Sequence, residues 1–321
     1  MMVVPQVAAD LGGEQPIESL HNNGPNESTG EMNHTDRLRK APKAFRQLTG
    51  ITPLAFDELL EKLTPLYHQA DARRKDRPGR ARRPGGGRKH ALTLADRLLM
   101  LLIYYRTYVS HAFLGFLFGI DDSAVGRNIN PLQPLLAGLF RIPERRVEIS
   151  EDEIRELFFD ATERPTRRPK RGQRAFYSGK KKRHTIKTQI VVARKRKSPG
   201  SDAGPRRLRI VAVSGSVPGS THDKKLYDES PVVAPPDVKR TGDTAYLGTG
   251  LKTPTRKPRG QKLSDEQKAA NRKLSIRRVA AEHGIGKMKI WRIASERYRN
   301  PVSKHTLMMK NVAGLHNLMY A

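Results

Sequence analysis

Apolar residues recur at helical spacing through the first half of the chain and gather into short strand-like runs in the second half, with the change near residue 150. Ile51, Leu54, Phe56, Leu59, Leu60 and Leu63 fit one face of a short amphipathic helix, opened by Thr52 as N-cap and Pro53 at the first helical position. Thr93 with Asp96 three residues on resembles a capping box. It predicts a second helix with Leu94, Leu98, Leu101, Leu102 and Tyr105 on its apolar face. A third helix, His111 to Phe118, ends at Gly119, where positive φ is free of steric cost. Asp121 or Asp122 then caps a fourth, beginning near Ser123, with Val125 and Ile129 inward and Arg127 and Asn128 outward. Helix, glycine turn, helix is the helix-turn-helix arrangement, and its second helix can offer Ser123, Arg127 and Asn128 to a major groove. Packing in a plain bundle explains the same pattern equally well.

Beyond residue 150 the period shortens. Leu157, Phe158 and Phe159 form an apolar run ending at Asp160, and Ile186 to Ala193 and Leu208 to Ser214 read as strands rich in Val and Ile. Three strands in succession predict an antiparallel meander. A turn at Gly219 to Asp223 leads into a helix to Glu229, and Val238 to Gly242 leads to Asp243. Ser264 with Gln267 is a capping box opening a long helix that Gly284 is expected to stop. Asn271, Ser275, Arg278 and Glu282 share one face of that helix. An Arg278 to Glu282 pair could be no more than a surface salt bridge worth a few tenths of a kcal/mol.

Charge changes the picture. With 61 Lys and Arg against 32 Asp and Glu, the formal charge is +29, and a surface so basic attracts nucleic acid through counterion release. Residues 164–197 hold 15 basic groups and no acid, directly after an acidic stretch at 151–163. Residues 71–90 read as a basic, glycine-containing linker, or as a merely solvated tether. The expected organisation is a disordered tail over 1–46, a helical domain over 47–145 and an α/β domain over 150–321. The absence of cysteine excludes disulfide scaffolds, thiolate metal sites and thiol nucleophiles. No apolar run approaches the ~18 residues of a membrane span, so a cytoplasmic, nucleoid-associated protein is expected.

Asp160 at the end of a strand, Asp243 after another and Glu282 on a helix stand out in these cationic surroundings. Brought together, three carboxylates repel unless cations lie between them, and hard oxygen ligands select Mg²⁺ or Mn²⁺. Two such ions suit phosphodiester displacement. Glu163 and Asp223 are candidates to support them. His222 is a candidate too, or else simply caps its helix. Glu151, Asp152, Glu153 and Glu156 are expected in solvent. Trp291 is either a base-stacking platform or a core residue.

Phe159-Asp160-Ala161-Thr162-Glu163, Arg168-Pro169, Tyr177 to Thr185, Pro218 to Asp223, Gly242 to Gly248, and the series Asn271, Arg272, Leu274, Ser275, Arg278, Val279, Glu282, His283, Ile285, Gly286 and Lys289 together carry a resemblance. In order and spacing they resemble DDE transposases of the insertion-sequence-five group, bacterial relatives of PIF/Harbinger transposases. Residues 47–145 are similar to the helix-turn-helix domain preceding the catalytic domain there. The resemblance implies an RNase H-like α/β catalytic domain after an all-α helix-turn-helix domain, with Asp160, Asp243 and Glu282 as a triad holding two divalent ions, Mg²⁺ or Mn²⁺. Arg278 and Lys289 fall on the family's Arg and Lys positions, where Arg278 would orient Glu282 or touch a phosphate and Lys289 would bind DNA. Ser275 stands where the family has Tyr, which removes any role of a Tyr ring or hydroxyl. The implied partners are double-stranded DNA, contacted also by Lys180, Lys181, Lys182 and Arg183, and a second copy of the chain at least. The rival functions are a catalytically silent regulator derived from a transposase and a structural RNA-binding protein; neither has a use for three aligned carboxylates.

Overall fold

In a computed structural model, residues 33–76, 91–145, 154–195, 208–234 and 236–320 are described. The tail before Asn33, most of the basic linker, Glu151 to Glu153 and the turn at 198–205 lie outside them. The helices are α1 (His34–Arg39), α2 (Pro42–Thr49), α3 (Pro53–Lys75), α4 (Leu94–Thr107), α5 (His111–Phe118), α6 (Asp122–Ile129), α7 (Leu132–Phe140), α8 (Gln173–Phe176), α9 (Asp223–Glu229), α10 (Asp265–Met288) and α11 (His305–Tyr320). The strands are β1 (Ile154–Pro165), β2 (Tyr177–Ser178), β3 (Arg183–Lys195), β4 (Leu208–Val213), β5 (Val217–Pro218) and β6 (Lys239–Thr241). No helix among the described residues is long and apolar enough to cross a membrane.

The caps act where the sequence puts them. Thr52 accepts from Ala55 N, and Pro53 opens a helix of 23 residues, far longer than expected. Thr93 accepts from Asp96 N, but Asp96 does not complete a capping box. Its carboxylate instead accepts from Thr35 N and Oγ1 at 2.9 and 2.7 Å, pinning α1 to α4. Residues 33–46, expected in a mobile tail, thus carry α1 and the start of α2, with Thr35 and Phe45 fully buried. Helix α5 ends at Gly119, in the left-handed region at φ 63°, and α6 follows with Val125 and Ile129 inside. Helix α4 exceeds its expected apolar face. Asp96 through Tyr105 are all buried, because the other helices and the C-terminal region surround it.

Strands β1, β3 and β4 form the expected antiparallel meander. The sheet continues from β1 to β6, which pairs parallel with it. Since successive strand residues point to opposite faces, Phe158, Ile190, Val192 and Ile210 join the core built by the helices. Leu157, Phe159, Val191 and Val211 join a smaller core with Tyr227, Val238, Tyr246 and Leu251. Strand β1 does not stop at Asp160 but runs on to Pro165, held by the β3 register.

The helical layer and the sheet share the larger core, and the residues from Asn33 onward form one unit. Trp291 is fully buried, which decides for core over base stacking, and its indole N–H donates to Thr49 O at 3.3 Å. Gly50 closes α2 at φ 83°, and any Cβ there would meet the indole at 2.6 Å. Arg106 donates to Ile290 O, Tyr104 OH to Asn300 Oδ1 at 3.0 Å, and Asn311 Nδ2 to Tyr105 OH at 3.0 Å. Gly284 does not stop α10, which continues to Met288. A Cβ at Gly284 would lie 3.1 and 3.2 Å from the Val192 methyls, so this glycine lets the helix lie close on β3.

His305 and His316 sit inside this shared core. Burial, with Arg164 adding to it, pushes the His305 imidazole down to about 3; burial pushes His316 down to about 4. The unfolded chain, with histidines at 6.5, therefore takes up protons that the folded chain refuses, and stability present above pH 6.5 is lost as pH falls towards 3. Melting temperatures measured from pH 7.5 down to 4 should fall, and His305→Gln should flatten that slope. An unchanged slope would show that His305 is protonated in the folded state.

Candidate active site

The parallel register pairs Phe158 with Thr241. Asp243 follows two residues after β6 ends, and its charge acts on Asp160. Asp243 then caps a 3₁₀ turn, its Oδ1 accepting from Ala245 N at 2.9 Å, while Asp160 Oδ1 accepts from Ala161 N at 2.9 Å. Both carboxylates are half-buried. Burial pushes the Asp160 carboxyl up to about 6; Arg278 opposes this and the negative charges of Asp243 and Asp223 reinforce it. The Tyr246 phenol lies in the same field. It is fully buried, its oxygen has no hydrogen-bond partner, and burial plus Asp223, Asp160 and Asp243 hold its pKa well above the ordinary value.

A hollow of about 210 Å³ opens at Asp160, lined also by Glu163, Lys180, Lys181, Asp223 and Lys289. Glu163 accepts from Thr185 Oγ1 at 2.6 Å. Lys187, opposite Glu163 in the β1–β3 register, pairs with Asp223 at 2.8 Å and donates to Thr221 O at 2.6 Å. His222 is exposed and caps α9, Nδ1 accepting from Lys224 N at 3.2 Å.

Helix α10 supplies the remaining candidates. Arg278, Glu282, Ile285 and Lys289 fall at i, i+4, i+7 and i+11, one stripe. Arg278 acts on Asp160, and Ile285 and Lys289 line the hollow. Glu282 rides the same stripe but is exposed, lies outside the hollow's lining and forms no ion pair with Arg278. Among the described residues, no three acidic or histidine side chains lie close enough to hold one ion as they stand. The donor set is nevertheless all carboxylate oxygen with mutual repulsion at its centre, which fits a hard divalent cation.

Glu156 was expected in solvent and is not there. It is 1% exposed, accepts from Thr241 Oγ1 at 3.1 Å, and pairs with Arg277 at 2.9 Å and Arg194 at 3.4 Å. One carboxylate thus joins β1, β3, β6 and α10. Nothing local in the acidic run of 151–163 marks it, because its partners come from distant segments. Lys187 and Tyr246 escaped notice for the same reason, although Lys187 belongs to the basic block.

In the helical layer, Arg127 is exposed and donates to Ser123 Oγ at 3.4 Å. Asn128 is half-buried, its amide given to Ala124 O of its own helix at 2.9 Å, so it is less outward than expected. Lys180, Lys181 and Lys182 are exposed in the turn between β2 and β3, with Lys182 at φ 51°, and Arg183, the first residue of β3, is exposed beside them.

A family model described as DDE superfamily endonuclease matches residues 159–317, and the helix-turn-helix of DDE superfamily endonuclease matches residues 90–142. A probable transposase for insertion sequence element IS702 from Microchaete diplosiphon is 30% identical over 283 residues, covering 86% of this chain and 94% of that protein. The chain belongs to the DDE superfamily of transposases. A putative transposase for insertion sequence element IS112 from Streptomyces albus G is also 30% identical, over 279 residues and 95% of its length. No solved structure matches. In this DDE enzyme the helix-turn-helix match takes in α4 to α7, and the endonuclease match begins one residue before Asp160.

The buried Glu156 makes its own expectation. Glu156→Ala strands the Arg194 and Arg277 guanidinium groups and should lower unfolding free energy by about 3–5 kcal/mol, whereas Glu156→Gln should cost less. Urea unfolding measures both. A loss below about 1 kcal/mol for the alanine variant would mean that water replaces the carboxylate.

Proposed function

We propose that this chain is an insertion-sequence transposase that cuts element ends and joins them to target DNA. The observation that supports this reading is the parallel β1–β6 pairing, beyond which Asp160 and Asp243 lie within reach of each other's charge and of Arg278 on α10. Asp160, Asp243 and Glu282 would hold two divalent ions of the Mg²⁺ or Mn²⁺ type, which when bound activate a water for attack on phosphorus and stabilise the leaving 3′ oxygen. Arg278 keeps Asp160 anionic. Lys180, Lys181 and Lys289 hold the phosphates entering the hollow, and Lys187 keeps Asp223 turned towards it. Hydrolysis breaks the P–O3′ bond and leaves a 3′-OH; that hydroxyl attacks a target phosphodiester, displacing a second 3′ oxygen. Hydrolysis turns one phosphodiester into a 3′-OH and a 5′-phosphate and releases a proton, joining exchanges one phosphodiester for another, and neither step needs a covalent protein intermediate. The helical part, 47–145, reads element ends through α6 with Ser123 and Arg127, and two ends call for at least two copies of the chain.

Asp160→Asn, Asp243→Asn and Glu282→Gln should each abolish strand cleavage and joining while leaving DNA affinity within about threefold, because phosphate contacts come mainly from Lys and Arg. Metal-dependent nicking of an end-bearing plasmid reads the chemistry. If Glu282→Gln still cuts and Asp223→Asn does not, Asp223 is the third ligand instead.

Replacing Lys180, Lys181, Lys182 and Arg183 together by Gln should weaken binding to all duplex sequences alike. The slope of log affinity against log salt should flatten by roughly 0.9 per lost phosphate contact. An unaltered slope over several salt concentrations would take the β2–β3 turn out of the DNA path.

A further inference from the structure

Beside the carboxylates lies a second, more open hollow of about 810 Å³, between α8 and the β2–β3 turn. Gln173, Arg174, Tyr177, Gly179 and Ser220 line it. It adjoins the catalytic hollow, since Gly179 is followed by Lys180, and Ser220 lies three residues before Asp223. Ser220 N donates to Ala175 O at 3.1 Å, which fixes the rim.

Tyr177 is 44% exposed yet held in place: it pairs with His184 between β2 and β3, and the two rings meet edge-on at 5.8 Å. A fixed ring open to water leaves a flat apolar face without a partner. No acidic side chain lines the hollow, Arg174 does, and Lys180 and Lys181 stand on the neighbouring rim. A Cβ at Gly172 or Gly179 would meet nothing within 4 Å, so there is open space at both ends of the α8–β2 segment. An aromatic face, an amide and a guanidinium set in cationic surroundings are the groups that hold a base and its phosphate.

We propose that this hollow receives one unpaired nucleobase of the cut DNA strand, stacked on Tyr177, with Arg174 at its phosphate and Gln173 at its edge. The assignment to the cut strand rests on the strand-cleavage reading above; the stacking does not. A phosphate seated against Asp160 in the narrow hollow must leave the regular duplex, and a base beside it loses its stacking neighbours at a cost that an aromatic side chain offsets.

The test uses the full chain, without metal, and a short fluorescein-labelled single-stranded oligonucleotide against its duplex, for wild type, Tyr177→Phe and Tyr177→Ala. Tyr177→Ala should weaken single-strand binding about 5- to 100-fold with duplex binding within twofold, and Tyr177→Phe should stay within twofold for both. Equal loss for both DNAs, no loss for either, or a Phe variant as weak as the Ala variant overturns the stacking site. In a second arm with Mg²⁺, Tyr177→Ala should slow cleavage of a paired element end, and a mismatch next to the scissile bond should restore it. Failure of any mismatch to restore cleavage removes the base from the cut strand. A chain that cuts no DNA but binds single strands through the Tyr177 ring refutes the cleavage reading and keeps the stacking site.

Discussion

One buried carboxylate sets the geometry on which the rest depends. Glu156 lies four residues before Asp160 on β1, Thr241 two before Asp243 on β6, and Arg277 one before Arg278 on α10, so a single side chain indexes every element that bears a candidate ligand. Two charged partners and a hydroxyl are needed to keep such a group dry, since an isolated carboxylate in the core would be prohibitively costly. The result is an uneven distribution of charge. The acid that fixes the framework is fully compensated, whereas the Asp160 carboxyl, on the same strand, is pushed up mainly by burial, with Arg278 opposing and the charges of Asp243 and Asp223 adding to it.

The two hollows and the charge around them follow from the same architecture. Strand β3 is the central ladder: it pairs with β1 on one edge and with β2, β4 and β5 on the other. Its first residues continue the lysine-rich turn, so a run of four cations is delivered to the end of β1 that carries Asp160 and Glu163. Lysines and carboxylates therefore line the same hollow: Lys180, Lys181 and Lys289 stand beside Asp160, Glu163 and Asp223.

The sequence was most readable where the determining contacts are local. Thr52, Thr93 and Ser264 cap their helices through bonds spanning three residues, and Gly119 stops α5 by its own backbone conformation. Asp160 and Asp243 could be picked out because each follows a legible apolar run, although β1 runs on past Asp160, and their approach depends on a parallel pairing between segments 83 residues apart. Where the deciding contact is distant, the reading failed. Glu156 looked solvated because Arg194 and Arg277 are 38 and 121 positions away. Gly284 looked like a stop because the chain alone does not reveal Val192 against it. Glu282 was picked out through family spacing; it shares the α10 stripe with Arg278 and Lys289 but is exposed and does not line the hollow.

Trp291 under the α2–α3 turn, with Tyr104 and Asn311 nearby, fuses the helix-turn-helix layer to the sheet in one core. A recognition helix on a flexible tether can serve cut sites at many distances. One built into the same core as the carboxylates has a fixed reach, so such a protein acts as a ruler. On the proposed reading, the number of base pairs between the motif read and the bond broken would be a property of the hydrophobic core, and terminal repeats that drift in spacing would escape cleavage even with every base of the motif kept.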